Sequence, residues 1–219
     1  MTNTVNLQQG LVAHWTFDDR AVFGNTLYDR SPNDAHAEID PLVETGKDSP
    51  VGQAFEFDDS NDDHVVTDPI DLTNVAEITW SLLVYRRGGR IIAQYSSGDE
   101  YGPQLYRRGG SLGGYWSKGS EGSDSFSIGG TTAGTAEWER WTIKWEDGEL
   151  VGAINSDIGS ISWDYDIDGY ASGGFSLGSR RGSFMYDGLI SDVRIYDRPL
   201  SEKEMMTLAN IRVPRHRNI

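Results

Sequence analysis

A succession of short apolar segments, separated by turns that carry glycine, dominates the middle of this 219-residue sequence. The segments are rich in β-branched and aromatic residues and have the lengths of β-strands. They cover residues 78–85, 90–95, 104–106, 112–116, 125–128, 141–145, 150–154 and 175–177. Because no helical pattern precedes residue 201, the sequence predicts an all-β chain folded as a sandwich or jelly roll.

The end of the chain predicts one last strand followed by a short helix. Leu189, Val193 and Ile195 alternate imperfectly with polar residues, as in a strand that faces a core on one side. Ser201 and Glu204 have the spacing of a capping box, in which each side chain accepts a hydrogen bond from a free backbone N–H at the start of a helix. The helix is therefore expected to begin directly after Ser201.

The chain is expected to form one domain, since it has no internal repeat and no low-complexity linker. We assign residues 1–9 to an N-terminal arm, residues 10–211 to the sandwich domain and residues 212–219 to a basic C-terminal tail. The sequence has no cysteine, which excludes disulfides and thiolate metal sites. It also has no apolar run long enough to span a membrane and no visible signal peptide.

The net charge of −15 arises from 22 Asp and 12 Glu against 15 Arg and 4 Lys. Such self-repulsion destabilises a compact domain in dilute buffer, but the screening length falls to ~3 Å near molar salt. The charge therefore predicts a halophilic source, and the alternative is an ordinary acidic extracellular domain. Nucleic acid is a poor partner because the protein repels a polyanion.

Several blocks of sequence follow one another in the order of a known pattern. They read WTFD at residues 15–18, DRSPN at 29–33, AFEFD at 54–58, EITWSLLVY at 77–85, WTIKWEDGELVGAI at 141–154 and DGLISDVRIYDRPLSEKE at 187–204. Together they resemble the laminin G-like domains of the concanavalin A-like superfamily, in a halophilic organism or its virus. The resemblance covers nearly all of residues 10–211. It implies a two-sheet antiparallel β-sandwich, a concanavalin A-like jelly roll, with one short C-terminal helix.

The resemblance also implies a structural calcium ion, which takes six to eight oxygen ligands. The implied ligands are Asp18, Asp29, Asn33, Asp187 and Asp192. The 29–33 loop lacks the glycine-rich form usual in the family, which weakens its match. A separate string at residues 164–169 copies the first half of an EF-hand loop, but Phe175 occupies the twelfth position in place of Glu. The same string also reads as a strand with Trp163, Tyr165 and Ile167 inward and three aspartates outward, and this interpretation is favoured.

Two kinds of residue are candidates for ligand binding. Arginine pairs occupy predicted turns, and if residues 78–116 form a meander the first two pairs project from one end of the sheet, about 10 Å apart. They would bind carboxylate, sulfate or phosphate, or they merely solvate the turns. Aromatic side chains near polar residues suit sugar stacking, although sandwich cores use them as well. The candidates are Arg86, Arg87, Arg107, Arg108, Tyr101, Trp116, Trp163 and Tyr165.

Catalysis is the remaining possibility, since glycosidases occur on this fold. They need two carboxyl groups roughly 5–9.5 Å apart, one of them protonated. The sequence has no E-x-D-x-x-E strand, and its nearest acidic string, residues 146–149, occupies a predicted turn. The sequence therefore predicts a protein that is not an enzyme.

The resulting hypothesis is a lectin-like surface module adapted to high salt, outside the cell or on a virion as a spike, turret or decoration that attaches to the host. Its expected partners are a glycan or acidic polysaccharide and neighbouring capsid or surface-layer subunits, with assembly into a homo-oligomer. The alternatives are a purely structural capsid, assembly or cell-surface protein and a glycoside hydrolase of the same superfamily.

The charge makes one direct prediction about stability. On dialysis from molar salt to below a few hundred millimolar, the protein should unfold, because screening of its negative surface is lost. Circular dichroism and intrinsic fluorescence during the dialysis measure the change. An unfolding free energy that does not vary with salt would contradict the halophilic assignment.

Overall fold

The computed structural model of the protein describes residues 5–72, 75–95, 101–108, 110–117, 123–131, 137–163, 173–179 and 185–211. Within these ranges it describes the backbone alone at residues 86–88, 90, 95, 101, 102, 108, 117 and 123. In the part of the chain so described, no helix is both long enough and apolar enough to cross a membrane.

The described residues include seventeen strands and two short helices. The strands are β1 (Leu11–Trp15), β2 (Val22–Phe23), β3 (Thr26–Leu27), β4 (Ala37–Ile39), β5 (Glu44–Ser49), β6 (Gly52–Phe57), β7 (Val65–Thr67), β8 (Ile78–Gly88), β9 (Arg90–Tyr95), β10 (Tyr101–Arg108), β11 (Ser111–Ser117), β12 (Ser123–Ser127), β13 (Trp138–Glu146), β14 (Glu149–Ile154), β15 (Asp157–Ser162), β16 (Phe175–Leu177) and β17 (Asp187–Tyr196). A 3-10 helix (Asp19–Ala21) follows β1, and α1 (Glu202–Ala209) follows β17.

The strands form two antiparallel sheets. Sheet A has the order β15-β14-β13-β8-β17-β6-β5, and β1 pairs with β17 next to the end of β6. Sheet B has the order β12-β11-β10-β9-β16-β7-β4-β3-β2. The predicted all-β sandwich of two antiparallel sheets with one short C-terminal helix is confirmed.

An aromatic cluster joins the two sheets. Trp80 of sheet A lies 5.2 Å from Trp116 and 5.2 Å from Phe175, both of sheet B, measured between ring centroids. Trp15 contacts the same Phe175 at 6.3 Å. All four side chains are fully buried, so each removes its large apolar surface from water at the centre of the sandwich.

The imperfect alternation of β17 has a structural cause. A bulge at Asp192, whose φ is 42°, shifts the register between Ser191 and Arg194. Because the extra residue reverses the alternation, Ile190 and Val193 both face the core. The sequence pattern placed Leu189 in the core as well, and this is wrong, since Leu189 is only half-buried.

The helix begins as predicted. Ser201 is its N-cap, and the Ser201 and Glu204 side chains complete a capping box. Arg198 donates to both Glu204 carboxylate oxygens, at 2.6 and 3.0 Å. Met205 and Leu208 pack with Tyr196 in a small second core, which fixes the helix to the end of β17.

The hairpin turns are partly as predicted. Asp147 and Gly148 have φ of 47° and 76°, the left-handed pair that a tight hairpin requires. The predicted meander over residues 78–116 is wrong, because β8 lies in sheet A and β9 in sheet B. The chain crosses between the sheets at Gly89, where a Cβ atom would lie 1.8 Å from the carbonyl oxygen of Met185.

The capping box predicts a specific pH dependence. The hydrogen bond from Arg198 lowers the pKa of Glu204 to about 2, so Glu204 stabilises the fold above its ordinary pKa of 4.5 and this stability is lost as the pH falls toward 2. Glu204→Gln, which keeps a capping side chain, should lower the unfolding free energy at pH 7 by about 1 kcal/mol. It should also flatten the pH profile between 4.5 and 2. Urea unfolding at several pH values tests this, and a variant profile parallel to that of the wild type would contradict it.

Candidate ligand-binding site

The loop that follows β3 is built around the buried carboxylate of Asp29. Its Oδ1 accepts hydrogen bonds from the backbone N–H groups of His14 and Ser31, both at 2.8 Å. Its Oδ2 accepts from the Ser31 hydroxyl at 2.6 Å and from the Ala35 N–H at 3.0 Å. These four bonds use the acceptor capacity of the carboxylate, so Asp29 holds the loop in one conformation.

Two rings stand on either side of this loop. The centroids of the Tyr28 and His36 rings are 4.5 Å apart, with the ring planes inclined at 53°. The backbone N–H of Asp29 donates to Nδ1 of His36 at 3.3 Å. Because Nδ1 accepts this bond, a neutral His36 carries its proton on Nε2 and can donate there.

The Tyr28–His36 ring pair separates two surface clefts, which we call the paired clefts. One has a volume of about 530 Å³ and includes Asn25, Thr26, Glu38, Val66 and Asp68 in its walls. The other has a volume of about 670 Å³ and includes Arg20, Phe23, Arg30 and Asp34. Both volumes lie in the range of small-molecule sites.

The walls of the paired clefts combine exposed apolar groups with polar ones. The Phe23 side chain, on edge strand β2, is 80% exposed, and Tyr28 is 38% exposed. Arg30 lies near Phe23 and donates from Nη2 to the carbonyl oxygen of Arg20 at 2.7 Å, which directs its guanidinium toward the second cleft. Aromatic faces beside donors and acceptors are suited to ligands that have both an apolar face and hydroxyl groups.

A buried ionic cluster lies beside this region, at the bulge of β17. Asp192 Oδ2 is 2.5 Å from Nη2 of Arg140, and Oδ1 is 3.0 Å from Nε of Arg194 and 2.8 Å from Nε2 of His14. Arg140 also donates to the Asp192 carbonyl oxygen at 2.9 Å. Burial alone would raise the pKa of Asp192, but Arg140, His14 and Arg194 together hold it well below its usual range.

The residues that the resemblance implies for calcium do not form one site. Asp29 and Asp192 are saturated by the partners described above, Asp18 Oδ1 accepts from the Gln53 N–H at 3.0 Å, and Asn33 donates to the Val12 carbonyl at 2.9 Å. Asp187 lines a separate cavity. Among the residues that the structure describes, no three acidic or histidine side chains are placed to hold a metal ion. This donor set therefore does not fit calcium, and the string at 164–169 lies outside the described residues.

The predicted aromatic ligands need correction. Trp116 is fully buried and Trp163 is 5% exposed. Both pack against Phe126, with ring centroids 6.2 and 6.3 Å away. They are core residues and cannot stack on a sugar at the surface. The alternative interpretation, that sandwich cores use such rings, holds for these two.

The other predicted ligands are described only in part. Arg107 is half-buried near the end of β10, and Tyr106 pairs with Arg90, so this end of β10 and the sheet crossover lie at one end of sheet B. The side chains of Arg86, Arg87, Arg108 and Tyr101 lie outside the described part of the structure, as does the whole of Tyr165. No basic patch can be built from the described residues alone.

Sequence reasoning missed the paired clefts. Phe23 and Tyr28 lie in a turn-rich stretch that has no strand pattern to place their rings in the core. Their presence there was the one sign in the sequence of an exposed aromatic surface. Strands β2 and β3 are only two residues long, too short to give a strand pattern in the sequence.

Comparison with known proteins identifies the fold family. The Laminin_G_3 family model, described as the concanavalin A-like lectin/glucanases superfamily, matches residues 59–206. No curated protein sequence matches the chain. Domain 4 of AbnA, a GH43 extracellular arabinanase from Geobacillus stearothermophilus, was solved in complex with arabinotriose. It is 19% identical with a TM-score of 0.70, and the likeness covers 91% of this chain and 98% of that one.

Toxin binding domains have the same fold. The binding domain of Paraclostridial Mosquitocidal Protein 1 is 17% identical with a TM-score of 0.71, over 94% of this chain and 53% of that one. The binding domain of Botulinum Neurotoxin DC, solved in complex with SialylT, is 16% identical with a TM-score of 0.69, over 94% and 52%. The chain therefore spans about half the length of these toxin domains. At these identities the likenesses show the fold alone.

The ionic cluster allows a test of what holds β17 in place. Asp192→Asn should lower the unfolding free energy by about 3–5 kcal/mol, because it leaves the buried Arg140 guanidinium without its counter-charge. Asp157→Asn, which removes an exposed carboxylate from β15, is the matched control and should change stability by less than about 0.5 kcal/mol. Urea unfolding at pH 7 and constant salt measures both, and equal effects would contradict the assignment.

Proposed function

Because this chain belongs to the laminin G-like family of the concanavalin A-like lectin/glucanase superfamily, we propose that it is a non-catalytic carbohydrate-binding module. The proposed ligand site is the paired clefts. The observation that carries the proposal is the pair of rings formed by exposed Tyr28 and half-buried His36, held between two clefts by the Asp29 loop.

The rigidity of the loop supports binding. A protein that orders a loop only on binding loses affinity to conformational entropy. Here Asp29 already holds its loop through four hydrogen bonds, and one of them comes from β1 of the sandwich. The ring pair is therefore positioned before any ligand arrives.

The polar groups support a sugar in particular. A pyranose or furanose ring presents an apolar face, which can lie on Tyr28 or Phe23, and a rim of hydroxyl groups. Asn25, Glu38 and Asp68 stand at the rim of the first cleft and can exchange hydrogen bonds with hydroxyls. The guanidinium groups of Arg20 and Arg30 at the second cleft would favour the carboxylates of an acidic polysaccharide.

The placement of Glu139, a carboxyl group that would share a strand face with Glu137 in the sequence, supports a non-catalytic role. Glu139 is only 2% exposed, and its Oε2 accepts a hydrogen bond from the indole N–H of Trp141 at 2.8 Å. The carboxyl group therefore serves the packing of the sheet. A glycosidase carboxyl would have to reach the scissile bond of a substrate.

The second part of the proposal concerns where this module acts, which we propose is outside the cell. We place it on a virion or cell surface in high salt, as a host-attachment protein that assembles into homo-oligomers with neighbouring subunits. Its acidic surface supports the high salt. Mass photometry at molar salt tests whether the protein forms an oligomer. A uniform monomer would contradict the proposed homo-oligomer.

The ligand site can be tested on a glycan array at molar salt, with neutral and uronate-containing glycans. Tyr28→Ala should weaken binding of the best glycan about tenfold or more, because it removes the stacking face. Tyr28→Phe keeps the ring and should retain most of the affinity. Ile161→Ala, at a 37% exposed apolar residue on β15, is the control and should bind like the wild type. Glycan binding that survives Tyr28→Ala unchanged would place the site elsewhere.

A further inference from the structure

The paired clefts differ in the sign of the charges that they expose. The walls of the first cleft contain the exposed carboxyl groups of Glu38 and Asp68 and, among the residues that the structure describes, no lysine or arginine. The walls of the second cleft contain the exposed guanidinium groups of Arg20 and Arg30. Because the ring pair lines both clefts, one ligand that lies across it can meet both kinds of charge.

Neither guanidinium group of the second cleft has a counter-charge. Other basic side chains form ion pairs with carboxylates, and these are Lys47, Arg140, Lys144, Arg194 and Arg198. No ion pair joins Arg20 or Arg30 to a carboxylate in the described part of the chain, although the protein has 34 acidic residues. Both groups are therefore available to an anionic ligand.

The second cleft combines these cations with an aromatic surface. The hydrogen bond from Arg30 Nη2 to the Arg20 carbonyl oxygen, at 2.7 Å, holds the Arg30 guanidinium beside the cleft. A guanidinium group presents parallel N–H groups that match the two oxygens of a carboxylate. Phe23 in the same wall is 80% exposed, so a sugar ring can lie on it while the carboxylate of that sugar meets the arginines.

The carboxyl groups in the wall of the second cleft do not cancel its positive charge. Asp29 is buried, and four N–H and O–H donors of its own loop and of β1 surround its two oxygens. Asp34 is exposed. The charged groups that a ligand can reach are therefore two guanidinium groups and one carboxylate, which leaves an excess of positive charge.

The first cleft disfavours the anion that the second cleft attracts. A carboxylate placed beside Glu38 and Asp68 would be repelled, because no basic side chain stands between them in the walls that the structure describes. The hydroxyl groups of a neutral sugar can instead donate hydrogen bonds to these two carboxylates. The amide of Asn25 adds a donor for a hydroxyl or ring oxygen.

We propose that the paired clefts bind a polysaccharide in which an acidic and a neutral sugar are neighbours. The carboxylate of a uronate lies at Arg20 and Arg30, and the neutral sugar lies beside Glu38 and Asp68, on the other side of the ring pair. This inference rests on the proposed glycan site and adds which class of sugar occupies each cleft.

The test measures the binding of three hexasaccharides to the full chain in molar potassium chloride by isothermal titration calorimetry. The first is a hyaluronan hexasaccharide, in which glucuronate alternates with the neutral N-acetylglucosamine. The second is the same compound after reduction of its carboxyl groups, so that every sugar is neutral. The third is an oligogalacturonate hexasaccharide, in which every sugar is acidic.

The hyaluronan hexasaccharide should bind about fivefold or more tightly than either of the other two. Its carboxylate contacts survive molar salt, because charge-assisted hydrogen bonds of about 2.8 Å are no longer than the screening length of ~3 Å. Equal binding of the hyaluronan and carboxyl-reduced compounds would overturn the assignment of a uronate to the second cleft. Tightest binding of the oligogalacturonate would overturn the assignment of a neutral sugar to the first cleft.

Variants assign each sugar to its cleft. Arg20→Gln and Arg30→Gln should each weaken binding of the hyaluronan compound about threefold or more and leave binding of the carboxyl-reduced compound unchanged. Glu38→Gln should strengthen binding of the oligogalacturonate, because it removes a repulsion from the first cleft. Lys203→Gln removes one positive charge from an exposed position on α1 and is the matched control, which should bind all three compounds like the wild type. Arginine variants that affect the charged and reduced compounds equally would contradict the assignment.

Tyr28→Ala separates this inference from the proposed function. It should weaken binding of all three compounds, because each of them crosses the ring pair. If the charged and reduced hexasaccharides bind equally and both depend on Tyr28, the glycan site stands and only the assignment of the acidic sugar fails. If none of the three binds, or if their binding does not depend on Tyr28, the proposed site and this inference fail together.

Discussion

The ion cluster around Asp192 is the interaction on which the rest of the structure depends. It joins β1 through His14, β13 through Arg140 and β17 through Asp192 and Arg194. Removing charges from water is expensive, and this cost is met only when every charge has good partners. In this cluster one carboxylate faces two guanidinium groups and an imidazole, so the bulge of β17 has only one arrangement that satisfies it. The closing strand is thereby tied to its partner β1 and, across β8, to β13.

The candidate ligand site is built outward from that cluster. The side chain of His14 bonds Asp192, and its backbone N–H bonds Asp29. Asp29 in turn fixes its own loop and donates its backbone N–H to His36. The ring pair thus rests on a series of hydrogen bonds that begins in the centre of sheet A. This explains how a surface ring pair on very short strands can be held in one place, since two-residue strands such as β2 and β3 contribute little stability of their own.

Local features were predictable from the sequence and long-range ones were not. The capping box of Ser201 and Glu204 and the Asp147-Gly148 turn follow from spacing within a few residues, and both are present. The assignment of β8 and β9 to different sheets depends on partners far away in sequence, and the strand pattern is the same for either topology. Trp116 is a second example. The sequence around an aromatic residue on a strand is the same whether its ring packs in the core or faces a ligand at the surface. In the sequence, the bulge at Asp192 shows only as an irregular alternation of apolar and polar residues along β17.

The acidic residues of this chain differ in their roles, and their number alone does not show this. Composition suggests a solvated acidic surface, and for exposed residues such as Asp157 that explanation is sufficient. Asp29, Asp63, Glu139 and Asp192 are different, because each is nearly buried. Asp192 has its cations built into the chain, Asp29 accepts hydrogen bonds from N–H and O–H donors, and Glu139 accepts one from the indole N–H of Trp141. Asp63 alone among these four has a buried oxygen without a partner in the described structure. Burial raises the pKa of Asp63, and the carboxylates of Asp40 and Asp58 raise it further, so its negative charge opposes folding, whereas the charge of Asp192 is stabilised by its three cationic partners.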